Sequence, residues 1–348
     1  MTRVWDVPVH DSTRVRDARV ATEAAGAHAG LDDHRTAVAA LVATELATNL
    51  LKHAGGGRLV IHLVDRPAPA TSGPAVQISA LDHGPGIPDV TVALRDGYST
   101  SDASLGAGLG TCLRISSAFD LYSSARGTVA VARVDQDAGR PHTGAAGRAG
   151  GINIPLARAE YSGDAWSCVR SGALLTLLLA DGLGHGAKAA QASGAAVDEL
   201  PRVGHLRPAE ILRHLHTALR PTRGAAVAVA QLDTHRGELA FAGVGNTGAR
   251  LHDNGSWEHL ISHPGIVGAQ FPATVPVRSR PWAPDSLLVL HSDGLPSRWV
   301  PPTDAELLAH DPAVVAAAVL RDASSAATPV RDDTCVAVLA SGRPGGRP

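Results

Sequence analysis

Lysine is nearly absent from this chain, occurring only at Lys52 and Lys188. Arginine carries the positive charge instead. Since either residue supplies surface charge, the scarcity reads as the coding bias of a GC-rich genome and carries no function. Basic excess is also missing: 31 Lys and Arg face 33 Asp and Glu, a formal net charge of −2. Such a balance cannot neutralise many phosphates and argues against a non-specific nucleic-acid binder. The three cysteines, Cys112, Cys168 and Cys335, lie far apart. They form no C-x-x-C pair and no even disulfide framework, which fits a reducing compartment. The N-terminal MTRVWDVPVH has no apolar signal core, and the longest apolar stretch, Ala173 to Ala180, falls well short of the ~18 residues needed to span a bilayer. These absences lead to the expectation of a soluble cytoplasmic protein with no membrane and no nucleic-acid partner.

What is present is enough to build two domains. The chain has 348 residues, 44% of them hydrophobic and 18% charged, which excludes wholesale disorder. Residues 135–151, DQDAGRPHTGAAGRAGG, show no apolar period and read as a linker. It separates a first part, residues 1–134, from a second, residues 152–341, with a frayed tail at 342–348. In the first part, apolar spacing predicts a helix from Leu31 to Ala54, capped by Asp32 or Asp33 and stopped by GGG. Strands are expected at Leu59–Val64, Ala75–Leu81, Leu121–Ser124 and Thr128–Val134, a polar loop at Arg66–Pro74 and a second helix at Gly108–Phe119. The second part reads as strands at Leu174–Ala180, Ala225–Leu232, Leu239–Ala242, Ser286–His291 and Thr334–Ala340. Helices are expected at Ala187–Leu200, Pro208–Leu219, Ala305–Ala309 and Ala313–Leu320. The class is α+β.

Three segments of the first part carry chemistry. ELATNLLKHA puts Glu45 and Asn49 on one helical face, a carboxylate that can act as base and an amide oxygen that can ligate Mg²⁺. Alone, such a pair is more often a solvated polar face. LDHGPGI places Asp82 at a strand end before Gly84 and Gly86, where backbone can approach a flat ligand, although Asp and Gly are also ordinary turn residues. In LGAGLGTCLR, Gly106, Gly108 and Gly110 open a helix whose N–H groups can attract phosphate. His53 reads as a helix-end packing or capping residue.

The order E-x-x-x-N, D-x-G-x-G, G-x-G-L-G resembles the GHKL ATPases, in particular the RsbT- and SpoIIAB-like anti-sigma-factor serine kinases, over roughly residues 10–134. The resemblance implies a GHKL (Bergerat) α/β sandwich that binds ATP. Asp82 would accept the adenine amino group, Asn49 would hold Mg²⁺, and Gly108, Leu109 and Gly110 would cradle phosphate. Glu45 would activate a protein hydroxyl. Only ~18 residues separate the glycine boxes, so any lid is short, and too little chain precedes Glu45 for the phosphoaccepting hairpin of a sensor histidine kinase.

The second part has no H-E-x-x-H and no G-x-S-x-G. Aspartates recur at strand ends instead: Asp164 in SGDAW, Asp181 in LLLADGLGHG, Asp293 in VLHSDGLPS, Asp332 and Asp333 in RDDTCVAV. One such Asp is ordinarily a turn former; four sites in one domain suggest a hard, oxygen-rich centre for Mg²⁺ or Mn²⁺. Two metals would bridge a hydroxide for in-line attack on a phosphate ester. The order G-D, A-D-G-x-G-H-G, S-D-G, D-D-x-T resembles the SpoIIE- and RsbX-like branch of the PPM serine/threonine phosphatases. FAGVGNTGARL (Phe241–Leu251) and HPGIVG (His263–Gly268) add to the likeness, which implies an α/β/β/α layered β-sandwich. Asp181 would bridge both metals, the Gly182 carbonyl would ligate the second, and Asp293 and Asp332 the first. Asp164 would hold metal-bound water or ligate directly. Either Asp332 or Asp333 fits the last slot. His185 reads as a loop-shaping residue or a proton donor, and no arginine matches the family's phosphate-fixing position. Together the halves imply a bifunctional partner-switching regulator acting on a STAS-type antagonist protein, with a sigma factor as a further partner. In the alternative, the first part is a nucleotide-dependent binding module and only the phosphatase is active. A stand-alone small-molecule phosphatase is a third reading.

Overall fold

The computed structural model describes residues 3–65, 73–94, 108–137, 147–324 and 330–342. The chain divides into two compact units, one built from Trp5–Asp65 with Ala70–Pro141, the other mainly from His142–Pro348.

The first unit contains β1 (Val4–Val9), α1 (Ser12–Ala29), α2 (Asp33–Ala54), β2 (Gly57–Val64), β3 (Ala75–Leu81), α3 (Val90–Ala93), α4 (Gly108–Ile115), β4 (Ala118–Ser124) and β5 (Gly127–Val134). Its sheet has the order β1-β2-β3-β5-β4. Residues of α2 at helical spacing, Ala39, Val42, Ala43, Leu46, Ala47 and Leu50, share a core with alternate residues of β3, Val76, Ile78 and Ala80. Asp32 Oδ1 accepts from Arg35 N at 2.7 Å, and Gly55 ends the helix at φ +71°. Helix α1 escaped the sequence reading because its buried stripe is small: Ala18, Thr22, Ala25 and Ala29. One expectation is corrected. The second helix stops at Ile115 rather than Phe119. Ser117 N donates to Arg133 O at 2.8 Å, and the Ser117 hydroxyl accepts from Asp135 N at 3.1 Å, which draws the chain into β4.

The second unit contains β6 (Gly147–Ile154), β7 (Asp164–Ser171), β8 (Leu174–Gly182), α5 (Ala187–Val203), α6 (Pro208–Leu219), β9 (Ala225–Asp233), β10 (Glu238–Val244), β11 (Gly248–Asp253), β12 (Ser256–Ile261), β13 (Arg278–Pro281), β14 (Leu287–His291), α7 (Ala305–Leu308), α8 (Pro312–Ala323) and β15 (Thr334–Ser341). Two sheets form, ordered β13-β10-β9-β8-β7 and β12-β11-β14-β15-β6. The alternation on β8 shows the layering. Leu175, Leu177 and Leu179 point into a core shared with Leu288, Leu290 and Leu339 of the other sheet. Leu178 and Ala180 point the opposite way, onto Leu200, Leu212 and Leu215 of α5 and α6. Helix α8 covers β6 and β15 on the far side. The architecture is an α/β/β/α sandwich, and with both faces of β8 covered its sequence reads as an unbroken apolar run.

The linker reading also needs correction. Its last residues, Gly147 to Gly151, are ladder members of β6, paired with β15 from Gly147–Ser341 to Gly151–Ala337. Glycine serves close approach there: a Cβ on Gly150 would lie 2.5 Å from Ala313 N of α8, and one on Gly151 2.7 Å from the Trp166 ring. Asp135 is likewise buried, bonded to Ser117 and Arg35. Residues 138–146, the frayed tail from 343, most of the Arg66–Pro74 loop and the lid region 95–107, Gly106 included, lie outside the described residues.

Candidate functional site

Helix α2 is the spine of the first site. Glu45 and Asn49 both aim at the first residue of α4: a Cβ on Gly108 would stand 2.7 Å from Glu45 Oε2 and 3.7 Å from Asn49 Nδ2. Only glycine leaves that gap. Asn49 Nδ2 is buried without a hydrogen-bond partner. Gly110 is buried in α4, and the Leu109 side chain packs on the core. Further along α2, a Cβ on Gly84 would lie 2.7 Å from that of Ala54. The nine steps from Glu45 to Ala54 rise about 13.5 Å along the axis, so the helix runs past both the Gly108 gap and the Gly84 turn.

Asp82 is held at that end. Its Oδ1 accepts from Gly84 N at 2.8 Å and from Thr128 N at 3.0 Å. This engages one oxygen and leaves Oδ2 to accept from a ligand. Gly86 turns at φ +78°, with the Ser124 carbonyl where a Cβ would go, and the Ser123 hydroxyl accepts from Ile87 N at 2.7 Å. Thr128 and Ser123 were missed from sequence because they arrive on β4 and β5, some 40 residues away, with no motif of their own. Cys112 sits beside Glu45; burial foremost and then that carboxylate push its thiol up to about 12, which makes it an inert core residue.

The second site forms where strands of both sheets end. Asp164 opens β7 and is the cross-strand partner of Asp181 on β8. Asp293 follows β14, and Asp332 and Asp333 precede β15. Burial, followed by the charges of Asp293, Asp332 and Asp333, pushes Asp181 up to about 7. Burial and the charges of Asp181, Asp333 and Asp293 hold Asp164 well above the usual carboxylate range, against a hydrogen bond from Ser292. Burial and Asp332 raise Asp293, against hydrogen bonds from Asn246 and from Asp181. Asp164, Asp181, Asp293 and Asp333 are thus each raised by burial and by neighbouring acids, with Asp332 among those neighbours.

The surrounding backbone explains their convergence. Gly182 is irreplaceable for space: a Cβ would meet Ala189 O at 2.2 Å, and its N–H donates to Gly163 O at 3.0 Å. Asn153, Ser162 and the Asp164 backbone form a buried network, with Asn153 Nδ2 donating to Asp164 O at 2.7 Å. Asn246 Nδ2 donates to Asp293 Oδ2 at 2.6 Å. Both oxygens of Asp333 are taken by backbone, Oδ1 by Leu156 N at 2.7 Å and Oδ2 by Gly163 N at 2.8 Å. Asp332 gives only Oδ1 to Asp333 N. His291 is kept neutral by burial, which pushes it down to about 4; its Nε2 accepts from Trp299 Nε1 at 3.2 Å. His185 lies near enough to Asp333 for its charge to oppose the rise there. Ser162, Asn246 and Ser292 lie in the SGDAW, FAGVGNTGARL and S-D-G segments, but those segments name no bonding partner, and Asn153 had no signature in the sequence.

Among the described residues, no group of three or more His, Cys, Asp or Glu side chains is arranged to hold a metal ion as it stands. The fit to a divalent cation comes from the donors: Asp164 Oδ2 is buried with no partner inside a cluster of hard, mutually repelling oxygens, which is what such an ion neutralises. For a nucleotide, the fit comes from the gap over Gly108 and the orphaned Asn49 amide.

Comparisons with known proteins agree with both geometries. Residues 9–134 match the family model described as histidine kinase-like ATPase domain, and residues 171–341 match that of stage II sporulation protein E, SpoIIE. Over 83 residues the chain is 42% identical to the serine/threonine-protein kinase RsbT of Bacillus subtilis; the stretch is 24% of this chain and spans 58% of that relative. Among solved structures, RsbX in complex with magnesium aligns over 54% of this chain and 92% of its own, with 19% identity and a TM-score of 0.46. The PP2C phosphatase domain with a regulatory fragment of SpoIIE from Bacillus subtilis aligns over 95% and 97%, with 16% identity and a TM-score of 0.46. The two family matches divide the chain as its fold does, into an ATPase-like α/β part and a SpoIIE-like layered β-sandwich part. Residues 9–134 are thus similar to a histidine kinase-like ATPase domain, and residues 171–341 to a SpoIIE domain. Among the described residues, no helix is long and apolar enough to cross a membrane.

Proposed function

We propose that the second unit is a divalent-metal-dependent phosphatase for phosphoserine or phosphothreonine in a STAS-type antagonist protein. The first unit, on this reading, binds ATP and transfers phosphate to a serine or threonine of such a protein, and a sigma factor is a further partner of the same circuit. The observation that carries the proposal is the buried, unpartnered Asp164 Oδ2 among four other converging carboxylates. Asp164, Asp181, Asp293, Asp332 and the Gly182 carbonyl would hold Mg²⁺ or Mn²⁺. A divalent ion there neutralises the phosphate ester and lowers the pKa of water. Asn246 fixes Asp293 for this task. Asp333, with both oxygens on backbone amides, shapes the Leu156–Gly163 loop, which leaves Asp332 as the ligand of the pair.

In the first unit, ATP supplies the phosphoryl group. Asp82 Oδ2 would accept from the adenine amino group while Gly84 and Thr128 hold its other oxygen, and Asn49 would hold Mg²⁺. Gly108, Leu109 and Gly110 donate backbone N–H groups, and Glu45, beside that gap, takes the proton of the attacking hydroxyl. The position of Glu45 at Gly108 favours transfer over mere binding.

The test is incubation with ATP, Mg²⁺ or Mn²⁺ and STAS proteins, with phosphate followed by mass spectrometry. Glu45→Ala should remove phosphotransfer and retain ATP affinity; unchanged transfer would establish the binding-module reading instead. Removal of phosphate from the phosphorylated STAS protein should stop in EDTA. Release that continues without metal, or that prefers small aryl phosphates over the phosphoprotein, contradicts the proposal.

A further inference from the structure

The ladder between β8 and β9 places an arginine beside the acid cluster. Asp181 pairs with Ala226 and Gly182 with Ala225. Continued past the strand ends, that register sets Arg223 opposite Gly184, in the loop that leaves Asp181. The contact exists: a Cβ on Gly184 would lie 3.1 Å from Arg223 Nη1, and Leu183 N donates to Gly224 O at 3.0 Å. Gly184 turns at φ +85°, so no side chain stands in the way. The turn that carries Arg223 is itself pinned. Thr222 Oγ1 donates to Leu219 O at 2.7 Å, Gly224 N donates to Thr222 Oγ1 at 3.0 Å, and Ala225 N donates to Val267 O at 2.9 Å. Arg223 is exposed and has no hydrogen bond or ion pair among the described residues.

A phosphate monoester carrying close to two negative charges must enter a cluster of five aspartates. A planar guanidinium at the rim matches two phosphate oxygens at once and opposes that repulsion. We propose that Arg223 is the phosphate-holding residue of this site, binding two non-bridging oxygens of the substrate's phosphoryl group and of the orthophosphate product. This rests on the phosphatase reading above, and it fills the role for which the sequence offered no arginine.

The experiment compares the full chain with Arg223→Ala and Arg223→Lys, using p-nitrophenyl phosphate with Mn²⁺. Arg223→Ala should raise KM and the orthophosphate inhibition constant together by about tenfold or more, with a smaller fall in kcat. Arg223→Lys, which keeps charge but loses the fork, should fall between. The thermal midpoint and calorimetric Mn²⁺ affinity should not move, which separates this role from a structural one. Unchanged KM and orthophosphate inhibition in the variants overturns the proposal, as does a loss confined to kcat. If the wild-type chain hydrolyses nothing, the phosphatase reading fails on its own. Orthophosphate binding by calorimetry then decides this inference: weaker binding by Arg223→Ala supports it, equal binding overturns it.

Discussion

Asp181 shows what a candidate metal-binding carboxylate costs its own fold. Its folded-state pKa, about 7, stands above the ordinary carboxylate value because of burial and three neighbouring acids. A raised pKa contributes stability that is fully present below about pH 4 and is lost as pH rises through about 7. Asp181→Asn removes that pH dependence. In EDTA at pH 8 the variant should be more stable than wild type, by about 1–4 kcal/mol if the neighbours do not relax, and the gap should close toward pH 4. Denaturant unfolding at several pH values checks this, and the same variant should lose phosphatase activity. His291 runs the other way: with its pKa down near 4, its contribution is present above about pH 6.5 and fades as pH falls through 4. Comparing variant with wild type cancels it.

At the scale of elements, glycine has opposite meanings at positions that look alike in sequence. Gly150 lies in a Gly- and Ala-rich stretch with every mark of a flexible connector, yet it faces Ala313 N at a distance that excludes a Cβ. Gly150→Ala should therefore destabilise the second unit by roughly 2–4 kcal/mol, read as a lower thermal midpoint; a true linker would tolerate it. Gly108→Ala should leave stability almost untouched, since alanine favours helix, and weaken nucleotide binding about tenfold or more, because its methyl enters the gap before Glu45. Calorimetric titration with ADP and Mg²⁺ checks this. The same contrast marks what could be read in advance. Helix α2 and the strands β3 and β8 were legible because their periods are strong, and the acid-bearing strand ends because Asp-Gly follows apolar runs. Helix α1 was not, since alanine and threonine make a weak stripe. Strands β7, β11 and β12 were missed because their alternation is diluted by polar residues. The supporting hydrogen bonds of Thr128, Asn153 and Asn246 depend on pairings that no local pattern encodes.

For the molecule as a whole, each site is assembled from residues of one unit alone. Ligand linkage should therefore act on each unit separately. Scanning calorimetry should show Mn²⁺ without nucleotide raising one unfolding transition and ADP with Mg²⁺ raising the other as well; a single transition shifted equally by both would contradict this. On the proposed reading, kinase and phosphatase on one chain would run a futile cycle on a common residue unless their targets or their timing differed. Tethering raises the effective concentration of a shared protein at both centres. The topology of the second unit adds a constraint in time. Strand β15 brings Asp332 and Asp333, and it lies inside its sheet, between β14 and β6, the first strand of that unit. A nascent chain still short of residue 332 has every other aspartate of the cluster and no means of closing it. On the phosphatase reading, hydrolysis would begin only after translation has passed that point and the late strand has threaded between its neighbours, and a chain truncated before residue 332 should show none.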